Sequence, residues 1–124
     1  MALLSDSSKI CVRMFFKVVG WPAEDLNKNL KKAADFLRSS DFKILKEEYA
    51  EPEREGEKTY TSHLEIEVEA SELSKIFQFC LVFPPLIVEV LDPPEIYLSA
   101  AELQDIMSDT LSKLRDIHQQ IRVL

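Results

Sequence analysis

The sequence predicts an α+β protein: a ferredoxin-like βαββαβ sandwich with an added long C-terminal helix. One deciding observation is the β-type run Leu86–Leu91, which has a proline pair on each side. Proline lacks a backbone N–H and disfavours the helical region for the residue before it, so neither flanking helix can continue into this run. The other observations are apolar residues with period two, which indicate strands, and with period 3.6, which indicate helices. Along the chain these patterns follow the order strand, helix, strand, strand, helix, strand, helix.

The first strand is predicted from an alternating pattern over residues 9–19, which is rich in β-branched and aromatic side chains. One face of this strand is fully apolar. The other face mixes Phe15 and Val19 with Arg13 and Lys17, which is typical of a central strand whose second face is partly covered. We therefore expect the first strand at the centre of the sheet.

The first helix follows a Gly-Trp-Pro turn and is expected to begin at Pro22 and to run to about Ser39. Proline suits a first helical position, and Glu24 and Asp25 favour the positive end of the helix dipole. One apolar stripe should face the sheet. Its members are Leu26, Leu30, Ala33, Ala34 and Leu37.

A hairpin is predicted next, with strands over residues 42–49 and 58–69 and with Pro52 and Gly56 in the loop between them. The loop is rich in glutamate, but it lacks the Asp and Asn ligands and the closing glutamate of a calcium-binding loop. We interpret it as a solvated loop.

The strand order predicts how the sheet is assembled. Right-handed crossovers would place the first and third strands side by side, the second and fourth at the edges, and the first two helices on one face. The third strand then directs Glu65, Glu67 and Glu69 outward beside Arg13 and Lys17. We interpret these groups as cross-strand ion pairs.

Two further helices are predicted around the proline-flanked strand. The second opens at Ala70 and carries an apolar stripe that should be buried: Leu73, Ile76, Phe77, Cys80 and Leu81. The C-terminal helix, residues 99–122, begins at a capping box in which Ser99 and Glu102 satisfy each other's backbone N–H groups. Its apolar seam consists of Leu103, Met107, Thr110, Leu114, Ile117 and Ile121.

A seam of this length needs a partner surface, and the sequence leaves two arrangements open. The last helix can fold across the outer sheet face and bury Phe15 and Val19 under Leu103, Met107 and Leu114, which makes a closed monomer. Alternatively, it can pair with the same helix of a second copy.

Composition limits the classes of partner. The 124 residues, 46% of them hydrophobic, predict a single domain over residues 1–124 with a disordered tail at 1–8. A net charge of −7 disfavours nucleic acid and anionic lipid as partners. The N-terminus has no signal-peptide pattern and no apolar run is long enough to span a membrane. Cys11 and Cys80, each inside an apolar run, are interpreted as reduced core thiols, so we expect a cytoplasmic protein.

No residue cluster matches a catalytic, metal or phosphate site. The chain has two histidines, His63 and His118, which we expect at the surface, and with two glycines it has no Gly-rich phosphate loop. No nucleophile motif and no metal-ligand spacing is present, so we expect no cofactor and no metal.

The element order resembles small ferredoxin-like domains that sense ligands or dimerise, including those called ACT domains. In ACT domains the loop after the first strand is often rich in Gly and Asp and helps to hold an amino acid. Here that loop reads Val-Val-Gly-Trp-Pro and offers Gly20, but no acidic residue before Glu24. The resemblance therefore implies the fold, and no ligand residue is carried over from it.

Two functional hypotheses follow. The favoured one is a non-enzymatic binding or assembly module whose partner is a second copy or another protein. Its candidate interface residues are Phe15, Val19, Leu103, Met107, Leu114, Ile117 and Ile121. The alternative is a regulatory domain or small enzyme that binds a small molecule in a cleft between the sheet and the last helix. Its candidate cleft residues are Trp21, Tyr60, His63 and Tyr97.

Overall fold

The computed structural model of the protein describes residues 9–123, and of residues 121–123 the backbone alone. Its elements are β1 (Ile10–Gly20), α1 (Ala23–Arg38), β2 (Lys43–Tyr49), β3 (Glu53–Arg54), β4 (Tyr60–Ala70), α2 (Leu73–Val82), β5 (Ile87–Asp92) and α3 (Ala100–Val123). The predicted α+β class and the order of its main elements are confirmed. The short β3 lies in the segment that we interpreted as a solvated loop, and the predicted N-terminal tail lies outside the described residues.

The sheet is antiparallel and has the order β2-β4-β1-β5, with β3 also paired to β4. The central pair is β1 with β4, in register from Ile10 opposite Ala70 to Gly20 opposite Tyr60. The first and third predicted strands are therefore central and the other two lie at the edges, as the crossover argument expects.

The core lies between one face of the central strands and the first two helices. The stripe predicted for α1 is buried in full. On α2, Phe79 is the central residue, because its ring packs 5.9 Å from the ring of Phe42 and 6.1 Å from that of Phe16, centroid to centroid. The stripe predicted for α2 is wrong in one respect, since Phe77 is exposed and Phe79 is buried. Because α2 is apolar on nearly all sides, its periodicity does not select the face that meets the sheet.

The C-terminal helix packs against α2. The predicted capping box is present: the Ser99 N–H donates to Glu102 Oε1 at 3.2 Å, and the Glu102 N–H donates to Ser99 Oγ at 3.1 Å. Among its described side chains, Ile106 alone is buried. The arrangement in which α3 covers Phe15 and Val19 on the outer sheet face is therefore not the one adopted.

Candidate functional site

Strand β5 is an edge strand with an open inner face. It pairs antiparallel with β1, so that Val88 lies opposite Met14 and Val90 opposite Val12, which are both buried. Val88 and Val90 therefore point to the helix side of the sheet, yet all six residues of β5 are exposed. No helix in the described part of the chain covers this strand, and its free edge presents unpaired backbone N–H and C=O groups.

A second exposed apolar feature is a groove between α2 and α3. Its volume is about 390 Å³, and it is lined by Phe77, Leu103, Ile106, Met107, Thr110 and Leu111. None of these side chains is charged. The Thr110 hydroxyl donates to the Ile106 carbonyl oxygen at 2.7 Å, so the single polar side chain of the lining is already satisfied.

The groove lies on the β5 side of α2. Val82 and Lys75 line a separate cavity with Phe36 of α1, so this side of α2 faces α1. A helix turns by 100° per residue, which places Phe77 on the opposite lateral side. Since α1 packs over β1, β2 and β4, that opposite side is the side of β5.

Six exposed apolar side chains of the α2–α3 groove and of the inner face of β5 are together called the apolar strip. Each of them is between 42% and 53% exposed. Its members are Phe77, Val88, Val90, Leu103, Met107 and Leu111. Together they present on the order of 500 Å² of surface, which is as large as the largest apolar patch of a typical monomer and the size at which such patches are often functional.

The acidic side chains of α3 lie mainly in its N-terminal half. Glu102, Asp105 and Asp109 lie in the N-terminal half, and among the described side chains Lys113, Arg115 and Asp116 lie in the C-terminal half. The glutamate at the first turn also suits the positive end of the helix dipole. Asp105 and Asp109 are each two residues from Met107, roughly 160° around the helix, and Lys113 lines the cavity on the α1 side, so these charges lie away from the apolar strip.

The outer face of the sheet is held by ion pairs between neighbouring strands. Arg13 lies 3.5 Å from Glu67 and 3.6 Å from Glu89, and Lys46 donates a hydrogen bond to Glu65 at 2.6 Å. The hydrogen bond from Lys46 lowers the pKa of the Glu65 carboxyl group. The predicted pairing with Arg13 is confirmed for Glu67, whereas Glu65 pairs with Lys46 and Glu69 with Lys9. Lys17 lies opposite His63 rather than a glutamate.

The structure divides the candidate interface residues between two surfaces. Phe15 and Val19 lie on the outer sheet face, where the ring of Phe15 stacks on that of His63 at a centroid distance of 4.9 Å. Leu103 and Met107 lie in the apolar strip on the helix side. The remaining members do not add to the strip, since Leu114 and Ile117 are half-buried and the side chain of Ile121 lies outside the described residues.

Sequence reasoning missed four members of the apolar strip, namely Phe77, Leu111 and the two valines of β5. Leu111 could have been found, because it continues the four-residue spacing of Leu103 and Met107. The valines carried no such signal, since buried and uncovered strand faces have the same pattern.

The candidate cleft residues are not brought together. Trp21, which is 71% exposed, and Tyr60 lie at the Gly20 end of β1. His63 lies three residues further along β4. Tyr97 lies at the opposite end of the sheet, because the adjacent Leu98 lines a small cavity with the start of α2. A single pocket formed by all four side chains is therefore absent.

A comparison with known proteins places the chain in a family. The model of the MJ0538 family matches residues 11–123. The chain belongs to this family. No curated protein and no solved structure matches it. Membership in the MJ0538 family names no reaction, ligand or partner.

The two cysteines of this family member lie in environments that disfavour reaction. Cys11 and Cys80 are free and half-buried, and burial raises the pKa of both thiols, which disfavours the reactive thiolate. Among the side chains described, no three His, Cys, Asp or Glu residues are grouped so that they could hold a metal ion. None of the described helices is both long and apolar enough to cross a membrane.

Proposed function

We propose that the protein is a non-enzymatic assembly module that self-associates as a homodimer through the apolar strip. The observation that carries this proposal is the set of half-exposed apolar side chains that α2, α3 and the inner face of β5 present on the same side of the molecule. Exposed patches of this size mark interaction surfaces when they are flanked by polar residues.

The uncharged composition of the apolar strip supports a second copy as the partner. A twofold interface brings the same patch of both copies together, so each patch must be complementary to itself. The apolar strip meets this condition, because none of its members is charged and the same apolar side chains of two copies can pack against each other without like-charge repulsion.

The α2–α3 groove gives less support to a small-molecule site. Specific ligand sites combine an apolar wall with a few polar groups that orient the ligand. The groove has no charged lining residue, and the Thr110 hydroxyl is already bonded within α3. An apolar side chain from another protein fits such a surface better than a metabolite does.

The test is the solution mass of the intact protein by light scattering after size exclusion, measured over a concentration series at low and high salt. We expect a dimer that largely withstands high salt, because apolar burial is not screened by ions. A monomer at every concentration would overturn the proposal.

A pair of variants on α3 tests the surface itself. We expect Leu111→Glu to weaken the dimer by about 2 kcal/mol, or roughly thirtyfold in dissociation constant, because a charge would be buried in the interface. Ser112→Glu adds the same charge one residue away, outside the strip, and should leave the dimer unchanged. Equal weakening by both variants would point to net charge rather than burial and would contradict the role of the strip.

A further inference from the structure

We infer that the second copy adds to the free edge of β5, so that two β5 strands pair antiparallel and the two sheets become one continuous sheet. This inference rests on the proposed self-association and supplies its geometry. The observations that carry it are the unprotected edge of β5, the directions of the elements around it, and the area that such pairing would bury.

The two edges of the sheet differ in how they are protected. The β2 edge carries Lys43, Lys46, Glu47 and Glu48, and its pairing with β4 is irregular between Ile44 and Lys46. Charges and bulges are features by which edge strands avoid further pairing. From Ile87 to Leu91, the β5 edge carries Glu89 as its single charged residue, and its register shift lies at the far end, beside Cys11. No proline lies within β5, so every one of its residues retains a backbone N–H.

A single twofold axis pairs the two β5 strands and also brings the two α3 helices together. Antiparallel pairing of identical edge strands requires an axis perpendicular to the sheet, which keeps the helices of both copies on the same side. α3 runs in the same direction as α2, because Ile106 shares a cavity with Leu73 at the start of α2 and Lys113 shares another with Val82 at its end. The same axis that pairs the strands therefore also makes the two α3 helices antiparallel and directs the apolar strips of both copies towards each other.

Side-chain register limits the pairing to a few arrangements. In an antiparallel pair, residues that lie opposite each other point to the same face of the sheet. When the two strands are identical, one residue must therefore lie opposite its own copy, at the twofold axis. Near the middle of β5 this residue is Val88, Glu89 or Val90. With Glu89 on the axis, two carboxylates would lie directly opposite each other, which is unfavourable. With Val88 or Val90 on the axis, Glu89 faces Ile87 or Leu91 of the second copy, and valine meets valine on the helix side.

The area that would be buried is sufficient for a stable dimer. Pairing at β5 would cover three more exposed apolar side chains in addition to the apolar strip: Leu86, Ile87 and Leu91. With these, each copy exposes roughly 800 Å² of apolar side-chain surface for burial, which equals the usual share of one partner in a standard interface.

Amide hydrogen exchange of the full chain, above and below the dimer dissociation midpoint, tests the inference. Alternate amides of β5 point to the free edge, so they exchange rapidly in the monomer and should slow by at least ~10-fold in the dimer. Peptides from β2, the other edge, should exchange equally in both states and provide the internal control. A dimer in which the β5 amides gain no protection would overturn the inference and leave the proposed function standing. A protein that never dimerises would overturn both.

A matched pair of edge variants gives a second readout. The double variant Val88→Lys/Val90→Lys places lysines on or beside the twofold axis, and we expect at least a tenfold weaker dimer. Leu45→Lys makes a similar change at an exposed apolar residue of β2 and should leave dimerisation as in the native protein. Circular dichroism verifies that both variants fold, which the exposure of the replaced side chains permits. If the double variant dimerises as tightly as Leu45→Lys, the inference is wrong.

Discussion

Strands β4 and β5 flank β1 on opposite sides, and their inner faces have different environments. On β4, Leu64, Ile66 and Val68 are 0% exposed, whereas Val88 and Val90 of β5 are 42% and 50% exposed. The side chains are of the same kind, point to the same side of the sheet and pair with the same central strand. The two strands differ in the helix layer that covers them, because α1 packs over β4 and no described helix covers β5. An apolar strand face therefore predicts that something covers it, but not that the cover belongs to the same chain.

The largest expected effect extends this comparison to the two sides of α2. Phe79→Ala should lower the free energy of unfolding by about 3–5 kcal/mol, because a buried ring at the centre of the core is lost. Phe77→Ala removes the same ring from the exposed side and should cost about 1 kcal/mol or less in the monomer. Urea unfolding at a concentration below the dimer midpoint measures both. Similar losses for the two variants would show that α2 is covered on both sides.

A matched pair of valines tests the two strands directly. Val68→Ala should destabilise the monomer by about 2–3 kcal/mol, since two buried methyl groups are replaced by a cavity. Val88→Ala should cost less than about 1 kcal/mol in the monomer, because the side chain is already half in water. At concentrations where the dimer forms, we expect the Val88→Ala loss to increase and the Val68→Ala loss to remain constant. An equal loss for Val88→Ala at low and high concentration would contradict burial of β5 in a dimer.

A smaller effect is expected at the start of α3, the helix that packs on α2. Ser99→Ala removes the side-chain half of the capping box and should reduce the stability of α3 by about 1 kcal/mol. Amide exchange should speed up in the first turn of α3, with little change in β4, because a single described side chain of α3 is buried. Equal acceleration in α3 and β4 would mean that the helix and the core unfold as one unit.

The smallest effect concerns the outer face of β4. Lys46→Met removes the hydrogen bond that lowers the pKa of Glu65, so we expect that pKa to rise towards its ordinary value in an NMR titration. A carboxyl whose pKa is lowered in the folded state stabilises the fold above its ordinary pKa, and this contribution is lost as the pH falls through the lowered value. The variant should therefore show a weaker loss of stability on acidification. Lys43→Met alters a neighbouring lysine of β2 and is the control. If the Glu65 pKa is the same in Lys46→Met and the native protein, the ion pair does not form in solution.

Much of the fold could be predicted because its signals are local. The alternation in β1, the stripe of α1 and the capping box at Ser99 each depend on residues close in sequence, and all three are present. The register of β2 against β4 and the face that α2 turns to the sheet depend on packing between distant segments. For this reason the sequence predicts that Phe77 is buried in the core, whereas in the structure Phe79 is buried and Phe77 is exposed.

The candidate surface was predicted only in part for the same reason. Leu103 and Met107 were found from the spacing on α3, but Phe15 and Val19 were assigned to the same interface although they lie on the opposite side of the sheet. The sequence indicated that the α3 seam needs a partner surface. It did not indicate that α2 would be the neighbour and that β5 would remain open.

The sequence by itself determined the elements of this protein, their order and the central position of β1, because periodicity, proline placement and capping act over a few residues. Only the tertiary structure decided that α3 packs on α2 and that the inner face of β5 is left without a cover. Those outcomes depend on which apolar surfaces meet across the whole chain, and apolar burial has no direction that a local pattern can encode.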